Sequence, residues 1–176
     1  MAPPNLCDPN FYLLGFMGAG KSTAGPLLAE RLATQFYDLD TLIEETEKST
    51  IRQIFETRGE HYFRQRETDL LIPLTRLRNN VVALGGGTFV QEVNRALIQP
   101  TGISIWLNVP LELIQKRIQN PLSRPLFHSP QEMSLLFHQR LPFYRMADLE
   151  ICVGAEPAEI IAEKICEHIR KLGNPT

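Results

Sequence analysis

Gly15-Phe-Met-Gly18-Ala19-Gly20-Lys21-Ser22-Thr23 carries the spacing G-x-x-x-x-G-K-S, which is a trap for phosphate. Glycines at 15, 18 and 20 let the backbone turn its N–H groups inward without Cβ clashes, making a concave anion site. A helical pattern opens directly behind them and adds the positive end of its dipole. In such a loop Lys21 reaches the β- and γ-phosphates, and the Ser22 hydroxyl ligates Mg²⁺. Gly18, Ala19, Gly20, Lys21, Ser22 and Thr23 are therefore the candidate contacts to a nucleoside triphosphate. The apolar run Phe11-Tyr-Leu-Leu14 leads into the turn as a strand. That strand–loop–helix context separates the motif from a glycine-rich turn with a merely solvated lysine.

The P-loop alone fits GTPases, motor ATPases and small-molecule kinases, so a second carboxylate must decide. Ordinary P-loop NTPases place it at the end of a later apolar strand, where it holds Mg²⁺. Here Val81-Val-Ala-Leu84 ends in glycines and Ser104-Ile-Trp-Leu107 ends in Asn108. The strand Gln35-Phe-Tyr37 instead ends at Asp38 and Asp40, and no N-K-x-D guanine-reading motif occurs. A GTPase is excluded. Two residues apart at a strand end, these carboxylates reach the same side, one for a metal's water shell and one for an acceptor hydroxyl. The competing reading of Asp40, just before Thr41-Leu-Ile, is a helix N-cap, and the converging glycine loops favour function over it. Gly85-Gly86-Gly87 offers bare backbone N–H groups to a ligand, or simply makes a turn. Arg64 and Glu67, at i and i+3, read by themselves as a surface ion pair.

The elements that position these residues follow from hydrophobic periodicity. Strands are expected at 11–14, 35–37, 81–84, 104–107 and 149–153. Helices are expected at 21–34, 41–48, 51–58, 60–77, 93–98, 111–118, 132–146 and 158–171. Pro26 should distort the first helix, and Pro73 should kink or shorten the fourth. Thr50 caps the third helix, and Gly59 separates it from the fourth. The proline-rich stretch 120–131 reads as a mobile loop. Five short apolar strands alternating with helices make an α/β fold of three layers, α/β/α, with a parallel sheet covered on both faces. Ligands in such folds sit at the carboxyl ends of the strands, where the P-loop, the Asp38/Asp40 pair and the glycine triplet all fall.

At 176 residues, the chain suits one domain over 11–172, between a flexible arm (1–10) and a tail (173–176). A net charge of −2 argues against a broad basic surface for nucleic acid. The three cysteines show no C-x-x-C spacing and read as reduced thiols, two of them buried. There is no signal-like segment and no apolar run of membrane length, so a soluble cytoplasmic protein is expected.

In order and spacing, the motifs resemble the shikimate kinase family. The matching residues are the P-loop, Asp38-Leu-Asp40, Ile54-Phe55, Gly59-Glu60, Phe63-Arg64-x-x-Glu67, Gly85-Gly86-Gly87, Arg124-Pro125-Leu126 and Arg140-x-x-x-Tyr144. They cover the chain from Tyr12 to Pro157. The resemblance implies a nucleoside-monophosphate-kinase type of fold with strand order 2-3-1-4-5. It also implies Mg²⁺- and ATP-dependent phosphorylation of the shikimate 3-hydroxyl, giving shikimate 3-phosphate and ADP on the route to chorismate and the aromatic amino acids. By the same resemblance, Arg64 and Arg140 grip the substrate carboxylate, with Gly85, Gly86 and Gly87 offering backbone N–H groups and Phe55 and Phe63 lining the pocket. Asp40 receives the ring hydroxyls and serves as the base, within a substrate-binding segment at about 38–67. Asp38 and Ser22 hold the metal shell, and Arg117 and Pro157 flank adenine. Arg124 swings in on a lid (119–131) and joins Lys21 in neutralising the transferring phosphoryl group. Shikimate and ATP are the expected partners of a monomer. The spacing Tyr144-Arg-Met-Ala147 is one residue shorter than the family's usual pattern, which bears on the aim of Arg140. A gluconate-type kinase, or a P-loop protein that binds nucleotide without catalysis, remains as the alternative.

Overall fold

The computed structural model describes residues 8–118 and 129–173. Arg124, and with it most of the expected lid, lies outside the described residues. Five parallel strands form one sheet in the order β2-β3-β1-β4-β5. They are β1 (Asn10–Leu14), β2 (Gln35–Asp38), β3 (Asn80–Ala83), β4 (Gly102–Asn108) and β5 (Leu149–Cys152). Every residue of β1 and β3 is buried, as helices on both faces require of central parallel strands. The order 2-3-1-4-5 is the expected one.

Among the described residues, seven helices connect and flank the strands: α1 (Lys21–Arg31), α2 (Leu39–Glu47), α3 (Ile51–Thr75), α4 (Glu92–Ile98), α5 (Leu111–Arg117), α6 (Pro130–Tyr144) and α7 (Ala158–Gly173). A short 3₁₀ turn, Thr88–Val90, follows the glycine triplet and was not foreseen. α1 packs on α7, and α3 packs on α4. α1 runs through Pro26 without a break, so the expected distortion is absent. Thr50 opens α3 with a capping box, accepting from the Gln53 N–H while the Gln53 side chain accepts from the Thr50 N–H at 2.9 Å. Gly59, at φ 79° and ψ 171°, breaks α3 into the two expected helices. Only glycine takes that conformation without strain. α3 ends at Thr75, two residues past Pro73.

The expected arm is shorter than 1–10. Asn10 opens β1 and is fully buried, its Nδ2 donating to the Leu77 carbonyl at 2.9 Å and its Oδ1 accepting from the Asn80 N–H at 3.1 Å. Among the described residues Cys166 is buried and Cys152 exposed, and Cys7 lies outside them. No helix among the described residues is long and apolar enough to cross a membrane.

Candidate active site

At the carboxyl end of β1 the chain turns through Gly15 (φ 140°), Gly18 (φ 75°) and Gly20 (φ 96°) before α1 begins. These left-handed angles let the loop fold back over the helix N-terminus. Lys21 is largely buried, and its ammonium donates to the Gly15 carbonyl at 2.9 Å and the Phe16 carbonyl at 3.2 Å. A phosphate that entered the loop would compete with those carbonyls for the same charge. Beside it, the Ser22 hydroxyl donates to Asp38 Oδ2 at 2.6 Å.

Asp38 ends β2 and caps α2, its Oδ1 accepting from the N–H groups of Asp40 (3.1 Å) and Thr41 (3.3 Å). The N-cap role raised as the alternative for Asp40 belongs to Asp38. Asp40 sits in the first turn of α2 rather than at a strand end, yet both carboxylates face one cleft. A hydroxyl and a carboxylate side by side at a phosphate loop suit a hard divalent cation that also takes phosphate oxygens and water. The described residues contain no cluster of three or more His, Cys, Asp or Glu that would hold a metal unaided.

Opposite the loop, two arginines converge. Arg64 on α3 donates to Glu67 Oε2 at 2.5 Å and, from Nη2, to Glu60 Oε1 at 2.9 Å. Glu67 has no solvent exposure and also accepts from the Thr88 hydroxyl. The pair is thus no surface ion pair. Burial works against the Arg64 charge, but Glu67 and Glu60 outweigh it and hold the guanidinium above its ordinary value. Arg140 on α6 is buried over the Phe16 ring, its guanidinium carbon 5.7 Å from the centroid. Burial is the main reason its guanidinium falls below the ordinary value; the Tyr144 hydroxyl opposes that, while the nearby Arg64 charge adds to it. Both guanidiniums remain charged, because arginine does not deprotonate in proteins.

The glycine triplet lies between them. A Cβ on Gly87 would sit 2.5 Å from Arg64 Nη1, and one on Gly86 would sit 3.3 Å from Arg140 Nη1. At Gly85 it would come within 2.6 Å of Asp40 Oδ1 and of Glu67 Oε1. Glycine is required here for close approach. Arg64 is already paired with Glu67 and Glu60, and Arg140 faces the same place from α6, so this end presents guanidinium forks suited to an incoming carboxylate.

Both ends open into one cleft of about 460 Å³. Of the residues singled out from sequence, Gly18, Gly20, Lys21, Ser22, Thr23, Asp38, Asp40, Phe55, Phe63, Arg64, Gly86, Gly87, Arg117 and Arg140 line it. Ala19, Gly85 and Pro157 do not. Ala19 is fully buried, Gly85 lies beneath the Asp40 and Glu67 carboxylates, and Pro157 is represented at the rim by its neighbours Glu156 and Ala158. Phe55 and Phe63 pack as a tilted pair, with centroids 4.8 Å apart and planes at 44°. Arg117 ties the P-loop to the segment after β5, donating to the Gly18 carbonyl (3.3 Å) and the Gly154 carbonyl (2.7 Å). The sequence reading missed Met17 and Glu156 as lining residues, and no local pattern marks either. It had Tyr144 only as a motif residue. Its partner, the Gly86 carbonyl at 2.5 Å, is distant in sequence.

A family model described as Shikimate kinase matches residues 17–170. A shikimate kinase of Sulfurihydrogenibium sp. is 39% identical over 163 residues, covering 92% of this chain and 98% of that protein. One from Microcystis aeruginosa is 43% identical over 159 residues, covering 88% and 83%. Among solved structures, shikimate kinase from Acinetobacter baumannii in complex with shikimate superposes with a TM-score of 0.89 at 40% identity, covering 93% of each chain. A sugar kinase from Janibacter sp. superposes with a TM-score of 0.61 at 14% identity, a likeness of fold alone.

Proposed function

The chain belongs to the shikimate kinase family, and from that premise we propose that its cleft moves the γ-phosphoryl group of ATP to the 3-hydroxyl of shikimate. The observation that carries this reading is the opposition, across one cleft, of a phosphate loop and a paired-arginine pocket. Shikimate is a small ring with one carboxylate and three hydroxyls, so the groups that must bind it are a cation fork and a few hydrogen-bonding groups. Arg64 and Arg140 take the carboxylate, and the Gly86–Gly87 backbone and Asp40 take the hydroxyls. Phe55 and Phe63 cover the apolar part of the ring.

Held in this way, the 3-hydroxyl faces the γ-phosphate cradled by Gly18 to Thr23. Asp40 accepts its proton as the oxygen closes on phosphorus. The bond from phosphorus to the β,γ-bridging oxygen breaks, and ADP leaves with that electron pair. Lys21 offsets the charge on the transferring group, with Arg124 assigned the same task by family pattern, and this electrostatic term should dominate the rate. Asp38 and Ser22 would hold Mg²⁺, which supplies Lewis-acid neutralisation of the β- and γ-oxygens. Arg117 and the backbone beside Pro157 bound the adenine. A monomer is the proposed working unit, because one chain lines both ends of the cleft.

A coupled ADP-release assay with Mg-ATP tests the reading against shikimate, gluconate and a nucleoside monophosphate. Shikimate alone should raise ATP consumption. Turnover with gluconate and none with shikimate would replace this acceptor. ATP binding without transfer to any of the three would revive the noncatalytic alternative.

A further inference from the structure

The Gly86–Gly87 peptide is the part of the acceptor pocket with the least stiffness of its own. Glycine on both sides removes the Cβ barriers that normally fix a peptide plane. Something outside the triplet must therefore hold it, and the structure shows what does. The Tyr144 hydroxyl donates to the Gly86 carbonyl at 2.5 Å. Tyr144 is 1% exposed and does not line the cleft, so it grips that oxygen from the core side. In a planar trans peptide the carbonyl of one residue and the N–H of the next point in opposite directions. With the Gly86 oxygen drawn towards α6, the Gly87 N–H is aimed the other way, into the cleft that Gly86 and Gly87 line.

The same hydroxyl lies beside the Arg140 guanidinium, one helical turn earlier on α6. The Trp106 ring backs Tyr144, with centroids 6.2 Å apart. We propose that Tyr144 is a positioning residue for the acceptor substrate. Its hydroxyl fixes the Gly86–Gly87 peptide with the Gly87 N–H facing the substrate, and steadies Arg140 against the same loop. Burial pushes the phenol up to about 12, so it stays a proton donor throughout the working range. The inference rests on the reading of this cleft as a shikimate site.

Tyr144→Phe removes the hydroxyl and keeps the ring. Losing one buried hydrogen bond that acts through a binding peptide should raise KM and Kd for shikimate about 5- to 10-fold. KM for ATP should rise less, by no more than about 2-fold: the P-loop backbone at Gly15 and Met17 lies beside Gly86, but Gly87, whose N–H the bond aims, faces Arg64. Kd for shikimate is read by titration calorimetry, which does not depend on a reporter beside the substituted ring. A purely structural hydroxyl would lower Tm and leave both KM values unchanged, and that result overturns the proposal. Equal rises in both KM values overturn it too, since they mean general loosening. If the variant does not fold, hydrogen exchange on the unsubstituted protein decides: the Gly87 amide should be protected by shikimate and not by ATP, and no shikimate protection overturns the proposal. The unsubstituted protein is assayed first. If shikimate does not stimulate it, the site reading fails and this proposal falls with it; a stimulated protein whose shikimate KM is untouched by Tyr144→Phe defeats the proposal alone.

Discussion

The two ends of the cleft are built by opposite means. The phosphate end is nine consecutive residues, Gly15 to Thr23, in which backbone N–H groups and three left-handed glycines supply the shape and Lys21 supplies the charge. The acceptor end collects Arg64 and Glu67 from α3, Gly86, Gly87 and Thr88 from the loop after β3, and Arg140 and Tyr144 from α6. A triphosphate presents the same oxygens to every enzyme that uses it, so a short self-contained loop suffices. A particular hydroxy acid must be met from several sides at once, which only tertiary packing can arrange. Damage at the first end should therefore stop the chemistry, and damage at the second should alter which molecule is accepted and how tightly.

Lys21→Met gives the largest separation of the two. The thioether fits the same largely buried place but cannot neutralise charge on the transferring phosphoryl group. Turnover should fall on the order of 10²- to 10³-fold. Shikimate affinity, read by titration calorimetry, should stay within about 2-fold of the parent. A parallel collapse of shikimate affinity would mean that the ends are one coupled unit.

Arg140→Ala comes next and acts in the opposite sense. A charge-assisted contact to a carboxylate is worth about 1.5–3 kcal/mol, so KM for shikimate should rise roughly 10- to 150-fold with KM for ATP little changed. Arg140→Lys should not restore it, because an ammonium cannot reproduce the guanidinium fork. Full rescue by lysine, in steady-state kinetics with each substrate varied, would show that only charge matters at this end.

The same contrast explains what was legible in the chain. The sheet could be read from five apolar runs, and the phosphate loop from its spacing, because both signals are contiguous. Gly59 also announced itself, as the one residue between two helical patterns that tolerates φ 79°. Arg64 and Glu67 gave no such signal by their spacing and were marked only by the family resemblance: i, i+3 is identical for a solvated pair and for one whose carboxylate is wholly buried. Asp38 and Asp40 were recognisable as a pair, but which of them caps α2 depends on where the strand stops, and that lies within a residue or two of uncertainty in any periodicity. Pro26 was expected to disturb α1, yet the helix runs through it. Asn10 looked like part of a polar tail because its partners, Leu77 and Asn80, lie far along the chain.

Thr88→Val probes that hidden carboxylate with a smaller effect. The hydroxyl donates to Glu67, and valine removes the donor while keeping the shape. A buried carboxylate left short of a hydrogen bond should cost about 1–3 kcal/mol, a fall in Tm of roughly 2–10 °C for a domain of this size. Through Glu67 and Arg64 the change should also reach the acceptor pocket, raising KM for shikimate less than Arg140→Ala does. An unchanged melting curve would mean that the bonds from Arg64 and Gln91 to Oε2 suffice for the carboxylate when Oε1 has lost its donor.

The smallest effect belongs at the nucleotide rim, where Lys164 donates to Glu156 Oε1 and Glu156 Oε2 accepts from the Gly154 N–H at 2.9 Å. The Gly154 carbonyl in turn receives Arg117, which also reaches Gly18 of the phosphate loop. The hydrogen bond from Lys164, aided by backbone N–H groups, holds the Glu156 carboxyl below the ordinary carboxylate range. A depressed pKa means that the unfolded chain binds the proton more readily. This contribution is therefore complete above the ordinary carboxylate value and fades only as the pH falls through the lowered one. Across neutral pH it is constant. Glu156→Gln keeps an oxygen for Gly154 and loses only the charge facing a half-exposed lysine, a kind of pair worth little in water. KM for ATP should rise no more than about 3-fold, with KM for shikimate unmoved. A larger rise would mean that the relay from Glu156 through Arg117 stiffens Gly18, making the phosphate end less self-contained than its nine residues suggest.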